Sequence, residues 1–387
     1  MLFCLALPAG LACSYLLLAT LLSAALRPAA RSSRTLRFDV IVPAHNEAGV
    51  IERTVASLRK IEWPADRFRI LVVADNCVDA TDALARGAGA QVLERQDSTH
   101  RGKGYALQHA FRHSLDEAWA GAVVVIDADA EVSSNLLEAC AARIETGAHA
   151  VQTHYGVLNP QASWRTRLIT IAKASFHIVR SRARERVAAS CGIRGNGWCV
   201  THHLLNAVPY AAFSLTEDLE YGIDIGLKGY RVAYADEAHA DADMVSSEQV
   251  ARTQRQRWEG GRFQLIRRKT MPLLIAAVKQ PSIVCLDLAL DLLVLPLSYV
   301  ALNVVALMVV AGMATWWRAS FEPWLWLSAA CAASLVVYVL RGWQLSGVGP
   351  RGLLDLARAP GFLVWKVVLM LSPGKSAEWV RTDREDD

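Results

Sequence analysis

No Cys-x-x-Cys pair and no zinc-ligand spacing occurs among the eight cysteines, which lie scattered at positions 4, 13, 77, 140, 191, 199, 285 and 331, several within apolar runs. That pattern argues against a zinc ribbon or a disulfide scaffold. It is read as reduced, mostly buried thiols in a protein facing a reducing compartment. Cys191 with Cys199 is the one pairing weighed as a disulfide, and the intracellular reading disfavours it. No His-Glu-x-x-His and no Gly-x-Ser-x-Gly is present, against zincin peptidases and serine hydrolases. His100-Arg101-Gly102-Lys103-Gly104 lacks the spacing of a P-loop, so nucleotide hydrolysis is not supported. Internal repeats and low-complexity tracts are missing as well. A net charge of +4 is too small to imply nucleic-acid binding.

Charge of either sign is absent from Met1 to Leu26, from Leu292 to Trp317 and from Pro323 to Leu340. Each run is long enough to cross ~30 Å of hydrocarbon as a helix. With 53% hydrophobic and 20% charged residues, the whole composition leans toward a membrane protein. A cleaved signal peptide would need bases ahead of the first run, whereas Arg27, Arg31, Arg34 and Arg37 follow it. By the positive-inside rule, those bases put the following domain in the cytoplasm. The expected organisation is a transmembrane helix at 1–26, a cytoplasmic domain at 38–270, two transmembrane helices at 284–341, and an interfacial helix with a cytoplasmic tail at 352–387. The segment 353–371 carries Arg358, Pro360, Gly361 and Lys366, and is read as lying on the bilayer rather than crossing it.

Between the greasy ends, apolar runs of strand length alternate with helical stretches. Val40–Val42, Ile70–Val73, Gln91–Leu93, Val123–Ile126 and Ala150–Gln152 are expected strands. Glu47–Lys60, Thr81–Ala88, Tyr105–Glu117 and Asn135–Thr146 are expected helices. This alternation predicts an α/β domain with a mostly parallel central sheet, whose strands are apolar on both faces. Two stretches near 164–186 and 250–269 are helical in spacing and rich in arginine and lysine. They are read as amphipathic helices resting on anionic headgroups.

In open sheets of this class ligands bind beyond the carboxyl ends of the strands. That rule gathers Pro43, Asp75 and Asp127-Ala128-Asp129 into one crevice. Paired carboxylates on a turn suit Mg²⁺ or Mn²⁺ bridging the phosphates of a nucleotide. Asp75 suits hydrogen bonds from a nucleoside, while Asp79 is read as serving the start of the next helix. Gly102-Lys103-Gly104 offers backbone N–H groups and a cation near phosphate. Thr216-Glu217-Asp218 marks a helix start capped by Thr216, with a carboxylate placed to take a proton from an acceptor hydroxyl. His239, Asp241 and Asp243 alternate as strand residues do and form a weaker candidate metal set.

Taken in order, Pro43-Ala44-His45-Asn46-Glu47, Asp75, Arg101-Gly102-Lys103, Asp127-Ala128-Asp129, Thr216-Glu217-Asp218 and Gln254-Arg255-Gln256-Arg257-Trp258 resemble the motif series of membrane-integrated family 2 glycosyltransferases. The group includes cellulose, chitin and hyaluronan synthases and bacterial exopolysaccharide transferases. The resemblance spans roughly 38 to 269. It implies a GT-A fold, a nucleotide-sugar donor (a UDP-sugar in the commonest case), a divalent metal and inversion at the anomeric carbon. Carried over by position, Pro43, Glu47 and Asp75 line the nucleoside pocket and Lys103 lies near the donor. Asp127 and Asp129 hold the metal and diphosphate, and Asp218 is the base with Glu217 beside it. Gln254, Arg257 and Trp258 cover the diphosphate, and Arg194-Gly195-Asn196-Gly197-Trp198 resembles the loop near the sugar. Three expected crossings are fewer than polymer-secreting synthases carry. The expected function is therefore transfer to a lipid-linked or membrane-proximal glycan acceptor at the bacterial inner membrane, in exopolysaccharide or envelope assembly. A processive β-glycan synthase is the alternative, and a non-catalytic nucleotide-sugar-binding membrane subunit is an alternative of another class.

Overall fold

The computed structural model describes residues 1–244, 248–279 and 282–358 with Gly361, and only the backbone over 248–257. Eight strands form one sheet: β1 Phe38–Ala44, β2 Phe68–Asp75, β3 Gln91–Arg95, β4 Ala122–Val125, β5 Ala130–Val132, β6 Ala150–Val157, β7 Trp198–Thr201 and β8 Val232–Ala242. Their order is β3-β2-β1-β4-β7-β6-β8-β5. Strands β1 to β4 pair in parallel, and β6 with β8 also pairs in parallel. β7 runs antiparallel between β4 and β6, and β5 antiparallel on β8. The sheet is therefore mixed, its parallel half being the one that continuous apolar runs announced. All five expected strands and all four expected helices are present. Three further strands complete the sheet: β5 and β7 are only three and four residues long, while β8 has eleven residues whose apolar run is broken by Asp236, Glu237, His239 and Asp241.

Alternation along β1 shows how the core is built. Val40 and Val42 face one side with Ile51, Val55 and Leu58 of the helix Ile51–Leu58, while Ile41 faces the other with Leu107 and Phe111 of the helix Lys103–Glu117. Successive side chains of a strand point to opposite faces, so a strand covered on both faces must be apolar throughout. The register sets Ala44 against Ala74 and Ile41 against Val125. The carboxyl ends of β1, β2 and β4 thus finish side by side.

Three helices, Leu2–Leu21, Leu297–Trp317 and the stretch Ala319–Ser346, are long and apolar enough to cross a membrane. They pack on one another around Ala9, Cys13, Leu16, Val304, Leu307, Cys331 and Leu335. Ala6, Ala9, Ala12 and Cys13 are small and share the buried face of the first helix, which lets its backbone approach its neighbours closely. Leu7, Leu11, Leu18, Met313, Trp316 and Trp317 point outward. The region expected to hold two spans at 284–341 contains a further helix, Ile283–Leu293, ahead of the first span. Pro296 separates the two helices, since proline cannot continue the hydrogen-bond ladder of a helix begun before it. Beyond Ser346 a short helix covers Gly349–Asp355. Most of the expected interfacial helix at 353–371, and the tail after it, lie outside the described residues.

The basic stretch 164–186 is helical as expected, with a π-helical turn, Ala174–Val179, between the helices Trp164–Lys173 and Arg180–Arg186. Four of its bases, Arg167, Arg180, Arg182 and Arg184, are turned onto acids of the protein rather than toward headgroups. Arg180 and Arg184 are buried and pair with Asp291 at 3.1 and 3.2 Å, and Arg184 also meets Asp287 at 2.5 Å. Arg182 pairs with Asp236 at 2.8 Å and Arg167 with Asp355 at 2.6 Å. A local sequence window shows the basic face but not the acids that meet it from distant segments. The packing is close: a β-carbon on Gly342 would collide with Ser175 Oγ. This stretch therefore ties the sheet domain to the apolar helices.

Candidate active site

A cavity of about 1000 Å³ opens at the carboxyl ends of β1, β2 and β4. Pro43, Glu47, Asp75, Lys103, Asp127, Asp129, Glu217, Asp218 and Trp258 all line it. The structure thus brings together residues that the sequence spreads over more than 200 positions. Gln254 and Arg257 lie outside the residues whose side chains are described.

The side of the cavity expected to take the nucleoside is built from strand ends. Asp75 is buried and accepts from Arg95 Nη1 at 2.6 Å and from Asn76 Nδ2 at 3.0 Å. The β2–β3 register sets Asp75 opposite Arg95, so the pair is a product of strand pairing and invisible to a reading along the chain. Asn46 and Asn76 take left-handed φ of 56° and 52°, a conformation asparagine tolerates better than most residues. Their side chains then brace the loops: Asn46 Oδ1 accepts from Val78 N at 2.8 Å, and Asn76 Oδ1 accepts from Asp97 N at 2.8 Å. Asp79 does serve the next helix, with Oδ1 accepting from Thr81 N at 3.0 Å.

Lys103, at the first turn of its helix, is the electrostatic centre. Its Nζ donates to Asp127 Oδ1 at 2.5 Å and to Gly195 O at 3.0 Å, and lies 3.7 Å from Glu217 Oε1. Burial pulls its pKa down, but Asp127, Glu217 and Asp218 outweigh burial and hold the ammonium above the usual lysine range. Burial lifts Glu217 to about 7, with Lys103 opposing and Asp218 adding to the rise. Burial likewise raises Asp218, again against Lys103. A raised pKa makes a carboxylate the stronger base, which suits this adjacent pair to accept a proton. Gly195 has φ +97°, and a β-carbon there would stand 3.3 Å from Asp218 Oδ2, so the loop presses its backbone against the acid.

Three sequence expectations change. Thr216 makes no capping hydrogen bond. Its hydroxyl has no partner among the described residues, and the side chain packs against Gly261, where a β-carbon would lie 2.7 Å from its methyl. His239, Asp241 and Asp243 do not assemble as a metal set. His239 Nδ1 lies 2.9 Å from Asp241 Oδ2, and Asp243 is taken by Arg53 at 2.6 Å. Lys173, assigned from sequence to a headgroup-facing helix, lines the cavity instead, its Nζ buried 3.2 Å from the centroid of the Tyr155 ring. Burial pulls this lysine down to about 7. Tyr155, His177, Arg180, Arg194 and Arg262 also line the cavity. The alternation of bases in 164–186 was the available signal for Lys173 and Arg180.

Among the described residues no three His, Cys, Asp or Glu side chains converge as a ready-made metal cage. Asp127 and Asp129 nevertheless fit a cation completed by substrate. Magnesium-like ions take one or two protein carboxylates, with phosphate oxygens and water filling the rest.

The match to the family described as "Glycosyltransferase like family 2" covers residues 36–261, more than half of the chain. Beta-monoglucosyldiacylglycerol synthase of Synechocystis is 27% identical over 232 residues, 58% of this chain and 47% of the relative. Probable glucomannan 4-beta-mannosyltransferase 15 of Arabidopsis thaliana is 22% identical over 247 residues, 61% of this chain and 46% of the relative. The chain thus spans about half the length of the curated relatives it matches. Among solved structures, the mannosyltransferase PcManGT of Pyrobaculum calidifontis, in complex with GDP-Man and Mn²⁺, is similar with a TM-score of 0.51 at 20% identity, covering 87% of this chain and 98% of that one. At that identity the likeness shows the fold, which is GT-A, and the family match together with the curated relatives shows that this chain is a member of the family 2 glycosyltransferases.

Proposed function

We propose that this protein transfers a sugar, with inversion, from a nucleotide-sugar donor to a hydroxyl of a lipid-linked or membrane-proximal acceptor. The observation that carries the reading is the single cavity in which Asp75, Lys103, Asp127, Asp129, Glu217 and Asp218 meet at the strand ends. In this account Pro43, Glu47 and Asp75 hold the nucleoside. Asp127 and Asp129 would hold a divalent cation, whose bound charge stabilises a departing diphosphate. Lys103 keeps Asp127 and Glu217 in place through its ammonium. Trp258, with Gln254 and Arg257, covers the donor.

Asp218 takes the proton from the acceptor hydroxyl, whose oxygen forms a bond to the anomeric carbon as the carbon–oxygen bond to the diphosphate breaks. The electron pair leaves with the diphosphate. Orientation of both reactants in one enclosed site supplies much of the acceleration in such a displacement. UDP-sugars are the first donors to test and GDP-mannose the second. The bases after the first apolar helix support a bacterial inner-membrane location with the domain in the cytoplasm, and the work of the enzyme is then exopolysaccharide or envelope glycan synthesis.

Calorimetry of a nucleoside diphosphate with and without Mn²⁺ tests the donor site. Wild type is expected to bind with metal dependence, and Asp129→Ala to bind about tenfold more weakly or less, losing that dependence. Equal, metal-independent affinity in both proteins contradicts the assignment.

A further inference from the structure

The inner end of the cavity is basic. Arg180, Arg194 and Arg262 line it, each at least nine-tenths buried, and Arg184 is buried behind them. They converge on two acids of the helix Ile283–Leu293. Asp291 meets Arg180 at 3.1 Å, Arg184 at 3.2 Å and Arg194 only at 3.9 Å, while Asp287 is engaged by Arg184 at 2.5 Å. Arg262 donates from Nη2 to the main-chain oxygens of Asp291, Leu292 and Val294. Among the described residues, the ion pairs of these four guanidinium groups run to two carboxylates, Asp287 and Asp291. Both Nη atoms of Arg194 and Nε of Arg262 have no hydrogen-bond partner among the described residues. Burial, joined by Arg180, Arg194 and Arg184 and only partly offset by Asp291, pulls the Arg262 guanidinium down to about 10. Unpaired buried donors are costly, so this arrangement is short of an anion.

The surroundings say where the anion comes from. Phe176, in the π-helical turn, carries the Arg194 guanidinium 4.0 Å and the Arg180 guanidinium 5.0 Å from its ring centroid. π-Helical turns recur at functional sites. Val294, Leu295, Pro296, Leu297 and Tyr338 line the same cavity. Leu297 opens one spanning-length helix and Tyr338 belongs to another, which gives an apolar chain a path toward the bilayer. Arg194 directly precedes Gly195, whose backbone presses on Asp218. Arg194 is thus one residue from the backbone that packs against the candidate base.

We propose that this arginine pocket binds the phosphate of a phosphate-bearing lipid acceptor, holding the acceptor head beside Asp218 while its apolar tail leaves along the ends of the spanning helices. Guanidinium forks match phosphate oxygens in pairs and remain charged when buried, whereas a neutral glycan brings no charge to meet them. The proposal deepens the functional reading above, on which it rests, by naming the acceptor class.

The test uses the full chain in neutral detergent, titrated with dodecyl phosphate, dodecanol and inorganic phosphate. Wild type is expected to bind dodecyl phosphate about tenfold or more tightly than either of the others. Arg194→Gln and Arg262→Gln are each expected to weaken that binding about tenfold, with Arg262→Lys recovering only part of it. Dodecyl phosphate and dodecanol binding equally to wild type overturns the proposal whether or not the variants fold. Inorganic phosphate binding as tightly as dodecyl phosphate overturns the lipid source. Unchanged dodecyl phosphate affinity in folded Arg194→Gln and Arg262→Gln overturns the assignment to this pocket. Nucleoside diphosphate with Mn²⁺, titrated in parallel, reports the donor site alone, so failure of the donor reading is seen separately.

Discussion

Asp75 and Glu217 show two ways of keeping a carboxyl group in a cavity. Asp75 is met by Arg95 at 2.6 Å, with both side chains largely buried. Removing one partner of such a pair leaves the other uncompensated, at a cost of about 3 kcal/mol. Arg95→Ala is therefore expected to lower the unfolding free energy by about that amount and to weaken nucleoside binding, measured by urea unfolding and calorimetry. Glu217 lacks so complete a partner, and burial lifts it to about 7 from the ordinary 4.5. A carboxyl group raised on folding contributes stability that is present below its unfolded value and lost as pH rises through its folded value. Glu217→Gln is expected to flatten the decline in stability between about pH 5 and about pH 8, and an unaltered profile contradicts the shift. Asp75, Asp127 and Asp129 were readable as candidates because strand ends concentrate ligands, and Asp218 because it stands at a helix start within the motif series. Arg95 was not, because its role depends on strand register.

At the scale of elements, legibility did not follow length: β4 and β7 have four residues each, and β8, with eleven, interrupts its apolar residues with Asp236, Glu237, His239 and Asp241. Strands β1 to β4 and the helices between them declared themselves through continuous apolar runs and amphipathic spacing. Strand β7 did not, although Trp198 at its start is among the largest fully buried side chains. The stretch 164–186 was read as helix correctly and its surroundings were not. Its acidic partners Asp287 and Asp291 sit about 100 residues away, in a helix whose apolar composition suggested lipid. Close packing of this stretch on the last apolar helix is expected to be intolerant of volume. Gly342→Leu should force Ser175 aside and cost about 1–3 kcal/mol, seen as a lowered Tm in detergent. A Tm unchanged from wild type would show that the two elements do not touch there.

For the whole molecule, polar contacts tie the first apolar helix and the chain after it to the helix Ile283–Leu293 and to the sheet domain. Tyr15 of the first helix donates to Asp287 at 3.2 Å, Leu26 N donates to Asp236 at 3.4 Å, and Arg186 donates to main-chain oxygens of Leu22 and Ala24 at 3.0 and 2.9 Å. Deleting 1–26 is thus expected to leave the protein in the membrane fraction through its remaining apolar helices while lowering its Tm. Full release into the soluble fraction would contradict the assignment of those helices. The cavity extends from the strand ends to those helices, so the proposed donor and acceptor sites share one space.

The most direct measurement follows transfer from a panel of labelled nucleotide sugars to lipid acceptors by wild type and Asp218→Asn, with donor affinity measured on both. A lipid-borne product is expected from wild type with one donor, and about 10³-fold less from Asp218→Asn at unchanged donor affinity. Equal turnover by the two proteins would contradict the central claim that Asp218 takes the acceptor proton in this cavity.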